Sequence, residues 1–176
     1  PRLLLNSKSK AFPEGLANSS GLVGKNLMFH PYAAVSGIFD EDDLNYSLGP
    51  LANIIIVQEF YETNESRNFV RGYSFQMNRS HGPAHTALGA GGSGEIIPWG
   101  KDHHSEFKKR FKKFLGLAVI SEDLPELHNR VELDENLTDR HGIPLPKVFY
   151  KTSENTRRLL DHGISSAKKL LKEAGC

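Results

Sequence analysis

Phe69-Val70-Arg71-Gly72-Tyr73-Ser74-Phe75-Gln76-Met77-Asn78 alternates large apolar residues with polar or small ones. Such alternation marks a strand with one face buried, here through Val70, Tyr73, Phe75 and Met77. Gly72 marks a bulge or a close backbone contact. Working outward, Asn53-Ile54-Ile55-Ile56-Val57-Gln58-Glu59-Phe60-Tyr61 is β-branched and aromatic, which predicts a second strand. Ala33-Ala34-Val35-Ser36-Gly37-Ile38-Phe39 predicts another, halted by the acidic turn Asp40-Glu41-Asp42-Asp43. Further strands are expected at 117–120, 130–133 and 148–150, with turn chemistry over 134–146. The opening residues read as a helix already in progress. A helix over 102–115 places Phe107, Phe111, Phe114 and Leu115 on one face, with Gly116 at its end. A last helix begins near Ser153, turns Leu159, Leu160, Ile164, Ala167, Leu170 and Leu171 inward, and is capped by Gly175. Strands in the middle with helices beside and after them predict an α+β fold: a mainly antiparallel sheet flanked by helices.

The composition sets bounds on function. The chain has 176 residues, 38% hydrophobic and 24% charged, enough for one ordinary domain with a real core. A net charge of +1 creates no global field for nucleic acid or a membrane surface. No apolar run has transmembrane length. The only cysteine is Cys176, which excludes an internal disulfide and any cysteine-based metal site.

Residues 80–100 are rich in Gly, Pro and His without a clear period, the signature of a long functional or mobile loop. Within it, Gly89-Ala90-Gly91-Gly92-Ser93-Gly94 matches G-x-G-x-x-G. That motif holds a pyrophosphate only between a strand and a helix N-terminus. A poor strand precedes it and Pro98 follows, so a flexible loop is the favoured reading. Ser93 lacks the second glycine of a nucleophile elbow, because Glu95 stands there. His81 and His85 are separated by Gly82 and Pro83, which argue against the helix that would align them on a metal. His103 and His104 would diverge by about one hundred degrees on a helix. No metal site is expected. Lys108, Lys109, Arg110, Lys112 and Lys113 read as the solvated back of an amphipathic helix rather than a nucleic-acid surface.

Four stretches, taken in order, carry a resemblance. Pro1-Arg2-Leu3-Leu4-Leu5 is followed by Gly21-Leu22-Val23-Gly24-Lys25-Asn26-Leu27-Met28-Phe29-His30-Pro31. This pairing resembles the glucose–methanol–choline (GMC) family of flavin oxidoreductases just after the last strand of their FAD-binding fold. Glu122-Asp123-Leu124-Pro125, with Asn129-Arg130-Val131-Glu132-Leu133-Asp134, is similar to the family's EDLP…NRVxLD segment. Asp139-Arg140-His141-Gly142-Ile143-Pro144-Leu145-Pro146-Lys147-Val148 resembles the D…G.P.P.V stretch that follows it. Ser153-Glu154-Asn155-Thr156 then opens the helix expected before the family's C-terminal catalytic segment. Residues 36–116 match loosely, as suits a substrate domain that varies with substrate. Asn6-Ser7-Lys8-Ser9-Lys10 stands where many members carry S-G-x-G-P, a departure towards the gluconate- and sugar-dehydrogenase branch.

The resemblance implies an internal segment of a longer enzyme. Residues 1–31 would be the tail of the FAD-binding domain, and residues 32–176 a substrate-binding domain ending in a helix. It implies FAD as cofactor, an alcohol or sugar as substrate, and the remainder of the parent polypeptide as partner. It implies hydride transfer from an alcohol carbon to the flavin, with a histidine as general base. That histidine and its His or Asn companion are expected beyond Cys176, so no residue in this chain is assigned a catalytic role. Asn26 and His30 are expected at the flavin, with loop hydrogen bonding as their plainer alternative. Gln76, Asn78 and Arg79, at the end of a sheet strand, are candidates for substrate contact, with the solvent face of the sheet as theirs. The other functional class is a stand-alone, non-enzymatic carbohydrate- or protein-binding module. The compartment, cytoplasmic or periplasmic, is left open.

Overall fold

The computed structural model describes residues 1–40, 55–78, 82–88 and 96–176. In chain order the elements are α1 (Arg2–Asn6), β1 (Tyr32–Ile38), β2 (Ile56–Val57), β3 (Tyr73–Asn78), α2 (Pro83–Leu88), α3 (His103–Arg110), β4 (Phe114–Ser121), β5 (Arg130–Thr138), β6 (Pro144–Phe149) and α4 (Glu154–Glu173). The fold is α+β, with a four-stranded sheet ordered β1-β4-β3-β2 and a two-stranded sheet β5-β6, every pairing antiparallel. By contacts the chain divides into two units. The first is Pro1–Phe29 with Asp123–Glu154, the second His30–Glu122 with Asn155–Cys176. This grouping by contacts does not test the division into residues 1–31 and 32–176 expected from the resemblance.

The second unit has the hydrophobic core. Tyr73 and Phe75 of β3 and Leu115, Leu117 and Val119 of β4 point to one face of the sheet, where Leu159, Ala167 and Leu171 of α4 meet them. The four-residue rise between 159, 163, 167 and 171 keeps one helix stripe on the sheet. Gly163 lies within that stripe because a Cβ there would stand 2.5 Å from Val119 Cγ1. Val119 is 0% exposed and cannot move aside. Gly72 answers to the same logic, since a Cβ would come within 1.9 Å of the Tyr61 carbonyl oxygen. The glycine lets the chain run close to its neighbour as Tyr73 N–H bonds Phe60 O at 3.0 Å.

A polar pair is set into this core. The Tyr73 hydroxyl and His162 Nδ1 are 2.8 Å apart, ringed by Phe60, Phe69 and Phe75. Burial first, and then the positive charge of Arg67, hold His162 below its ordinary pKa. Burial raises the Tyr73 pKa, opposed by its hydrogen bond with Ser166 and by Arg67.

The first unit is built differently. Every buried apolar side chain among the described residues belongs to the second unit, while the buried residues of the first are Gly15, Asp123 and Asn129. Polar ties organise it. Arg2 donates to Pro144 O at 2.7 Å, to Ile143 O at 2.9 Å and to Asp139 Oδ2 at 2.7 Å. Asp139 Oδ1 in turn accepts the amides of His141 and Ile143, closing the β5–β6 turn. The hydrogen bond from Arg2, then those amides, hold the Asp139 carboxyl below the usual carboxylate range.

Several expectations need correction. The helix over 102–115 stops at Arg110. Phe111 is extended, Lys112 has φ +66°, and Phe114 and Leu115 pair with Ile38 and Gly37 as the start of β4. The strand over 53–61 is Ile56–Val57 among the described residues, with residues 53–54 outside them, and 69–78 is a strand only from Tyr73. The turn region 134–146 is largely a hairpin, with β5 running on to Thr138 and β6 starting at Pro144. Inside the unpatterned 80–100 stretch, residues 83–88 form α2, with Pro83 at its first position, where a missing N–H costs nothing. The glycine run 89–94 and His81 lie outside the described residues, as do Glu41, Asp42 and Asp43 of the acidic turn. Leu170, expected inward on α4, is exposed.

Two tests follow from this packing. Gly163→Ala is expected to cost about 1–3 kcal/mol by overpacking, and Val119→Ala in the same chain to recover part of that loss, as read by urea denaturation. A folded-state pKa below the free value means that the unfolded chain protonates His162 first. Its contribution is therefore present above about pH 6.5 and lost as pH falls below that value. His162→Gln is expected to flatten the denaturation midpoint across that range, and an unchanged pH slope would refute this account.

Candidate functional site

Two features gather the residues singled out by sequence, one in each unit. In the second unit the feature is the sheet face opposite α4. Directly paired residues share a face in an antiparallel sheet. The register therefore aligns Ala34, Ala118, Gln76 and Ile56 in one row, and Ser36, Gly116 and Asn78 in the next. Tyr32, Ile120 and Ser74 form a row on one side, with Ile38 and Phe114 paired on the other. The floor of this face is made of small residues, Ala34, Ala118, Ser36 and Gly116. Gln76 and Asn78 are the polar side chains long enough to reach beyond it. Tyr32 at 54% and Ile56 at 58% are exposed apolar residues at its edges. A small-residue floor with amides and apolar edges can accept a ligand that has hydroxyls on a carbon frame. Asn78 and Gln76 thus lie on one face, two residues apart on β3. Arg79 lies outside the described residues.

In the first unit the feature is the loop carrying Asn26. Gly24 O accepts Val131 N–H at 2.7 Å, and Leu27 N–H donates to Asn129 O at 2.8 Å. A Cβ on Gly24 would meet Val131 O at 2.2 Å, so this glycine is required by the close approach to β5. Four residues on the loop side, 24–27, face three on the other, 129–131. Within that surplus Asn26 adopts φ +55°, a left-handed conformation that asparagine tolerates better than other side-chain-bearing residues. Lys25 stands 3.8 Å from Glu132 across the same junction. His30, four residues on, is exposed and opens the second unit.

Sequence reasoning missed Asp123, Asn129 and Tyr150 as side chains that hold this loop. Asn129 is fully buried, donates from Nδ2 to Lys151 O at 3.2 Å and accepts Lys151 N–H at 2.7 Å. Tyr150 donates its hydroxyl to Asp123 Oδ2 at 2.7 Å. No local pattern signalled them, because the partners that reveal the role lie 94, 27 and 22 residues away in the chain. Among the described residues no cluster of His, Cys, Asp and Glu could hold a metal ion, and no helix is long and apolar enough to cross a membrane.

No protein-family profile matches the chain. Over 164 residues it is 39% identical to the 2-methyl-1,2-propanediol dehydrogenase of Mycolicibacterium austroafricanum, a match covering 93% of this chain and 30% of that protein. It is 28% identical to the fructose dehydrogenase large subunit of Gluconobacter japonicus, covering 90% of this chain and 28% of that one. It is 26% identical to the paromamine 6'-oxidase of Streptomyces fradiae, covering 98% and 28%. The chain thus spans less than a third of the length of each of these relatives. They are oxidoreductases of the glucose–methanol–choline type, and the chain belongs to that family. Membership implies FAD in the parent enzymes of this kind.

The left-handed backbone at Asn26 gives a direct test. Asn26→Gly is expected to leave stability within about 0.5 kcal/mol, whereas Asn26→Ala costs about 1 kcal/mol and Asn26→Val more. Denaturation midpoints that do not distinguish glycine from valine would contradict the strained geometry.

Proposed function

We propose that this chain is the substrate-domain part of an FAD-dependent oxidoreductase that oxidises a CH–OH group of an alcohol or sugar-type substrate. The observation that carries the reading is the 39% identity to a diol dehydrogenase across 93% of the chain. The sugar named in the fructose dehydrogenase relative points to the same kind of donor.

FAD, when bound, supplies the hydride acceptor. The described residues fit that cofactor as a wall and not as its phosphate cradle. They include no strand–glycine turn–helix unit, and Gly24 is accounted for by its contact with β5. In this reading the Asn26 loop and His30 approach the flavin. The β3 face presents Gln76 and Asn78 to substrate hydroxyls. A carboxamide can donate to one hydroxyl oxygen and accept from another, which orients a polyol without a charge. The apolar side chains at the edge of the same face exclude water from the reacting carbon. The segment supplies binding and orientation, and the general base and most of the cofactor contacts come from residues outside it. The chain alone is then inactive.

Mixed with FAD and passed through gel filtration, the 176-residue chain is expected to emerge colourless. A yellow one-to-one complex would overturn the assignment of the cofactor site to residues outside it. In the polypeptide read from the frame on both sides of this segment, anaerobic addition of a diol or sugar is expected to bleach the flavin. There, Gln76→Ala is expected to raise KM about tenfold with little change in kcat. Absence of flavin from that polypeptide, or a flavin that no alcohol reduces, would sink the oxidoreductase reading.

A further inference from the structure

The Asn26 loop has a third anchor beyond its backbone bonds to Asn129 and Val131. Phe29 N–H donates to Asp123 Oδ2 at 3.4 Å. The same oxygen accepts the Tyr150 hydroxyl at 2.7 Å, while Oδ1 accepts Leu124 N–H at 3.1 Å. The Tyr150 ring meets Phe29 edge to face, with centroids 4.8 Å apart and planes at 77°. Asp123 is 8% exposed. A carboxylate so buried holds its partners strongly, because leaving any of them unmet is costly. Asn129, whose carbonyl receives Leu27 N–H, is tied through its side chain to Lys151, the residue after Tyr150. Asp123, Tyr150 and Asn129 therefore converge on residues 27–29 from the two ends of the β5–β6 hairpin.

We propose that Asp123 and Tyr150 are positioning residues that, through Phe29, fix the backbone of residues 26–29 and so the direction in which Asn26 is presented. The catalytic meaning of this role rests on the reading of that loop as flavin-facing. The strain at Asn26 fits the role, since a left-handed residue persists where its surroundings over-determine it, and here anchors stand on both sides. Burial, then the hydrogen bond and charge of Asp123, push the Tyr150 phenol up to about 12. This gives the clamp a spectroscopic signature separate from overall stability.

The test uses the 176-residue chain with 13C-labelled tyrosine and 15N-labelled backbone, comparing Asp123→Asn and Tyr150→Phe with the parent by NMR. Asp123→Asn is expected to return the highest-titrating tyrosine towards the ordinary value near 10. It is also expected to shift the Asn26 amide resonance and to speed hydrogen exchange at Phe29 about tenfold or more. Leu117 and Val119 of β4 should be unaffected. Tyr150→Phe keeps the ring against Phe29 and removes the hydroxyl, and should reproduce the Phe29 and Asn26 changes. If Asp123→Asn also opens β4, Tyr150→Phe decides. An unmoved Asn26 resonance with unchanged exchange at Phe29 in the folded variant overturns the proposal. The measurement contains no flavin. An Asn26 resonance that moves, in a protein whose FAD-loaded form is indifferent to Asn26→Ala, sustains the clamp while sinking the flavin-facing reading.

Discussion

The layering of the second unit depends on a missing side chain. Where α4 lies over Val119 there is room for a helix backbone and nothing more, and Gly163 meets that limit. With the helix seated, Leu159, Ala167 and Leu171 reach the inward residues of β3 and β4. The sheet then has one face committed to packing. Its other face carries Gln76 and Asn78 in rows with Ala34, Ala118, Ser36 and Gly116. The division of labour between the faces is set by strand parity, so a one-residue slip of β3 would exchange the phenol of Tyr73 with the amide of Gln76.

The first unit reaches order by another route. The stretches on which the family resemblance rests bind one another. Arg2 of the opening holds the Asp139 turn. The loop around Gly24 docks on the start of β5. Asp123, from the acidic-proline stretch, receives Phe29 and Tyr150. Motifs that looked like separate signatures are the two sides of the same hydrogen bonds. Arg2 and Phe29 thus reach partners 137 and 94 residues away in the chain.

Legibility in the sequence followed the range of the forces involved. The alternation along β3 was visible and placed Gln76 and Asn78 on the face opposite Tyr73 and Phe75. The repeat of α4 was visible too, although the hydrophobic pattern could not announce Gly163 or the buried Thr156. The phenylalanines of 107–114 misled because their spacing suits a helix. The pairing of Phe114 with Ile38, decided by a strand far away in sequence, draws the chain into β4 instead. Pro144 and Pro146 suggested a turn, yet a two-stranded ribbon has outer edges that tolerate proline. Asp123, Asn129 and Tyr150 were illegible as loop supports because their partners, Phe29, Lys151 and Asp123, are distant in sequence.

The contrast between the two units has a thermodynamic consequence. Apolar surface exposed on unfolding raises the heat capacity, and polar surface lowers it. The second unit, with its aromatic and aliphatic core, would melt with a marked heat-capacity step and a strongly curved stability profile. The first unit, tied by amides, a guanidinium and a phenol, would open with little such step. Its order would fade gradually with temperature and respond more to ionic and hydrogen-bonding conditions than to those that modulate the hydrophobic effect.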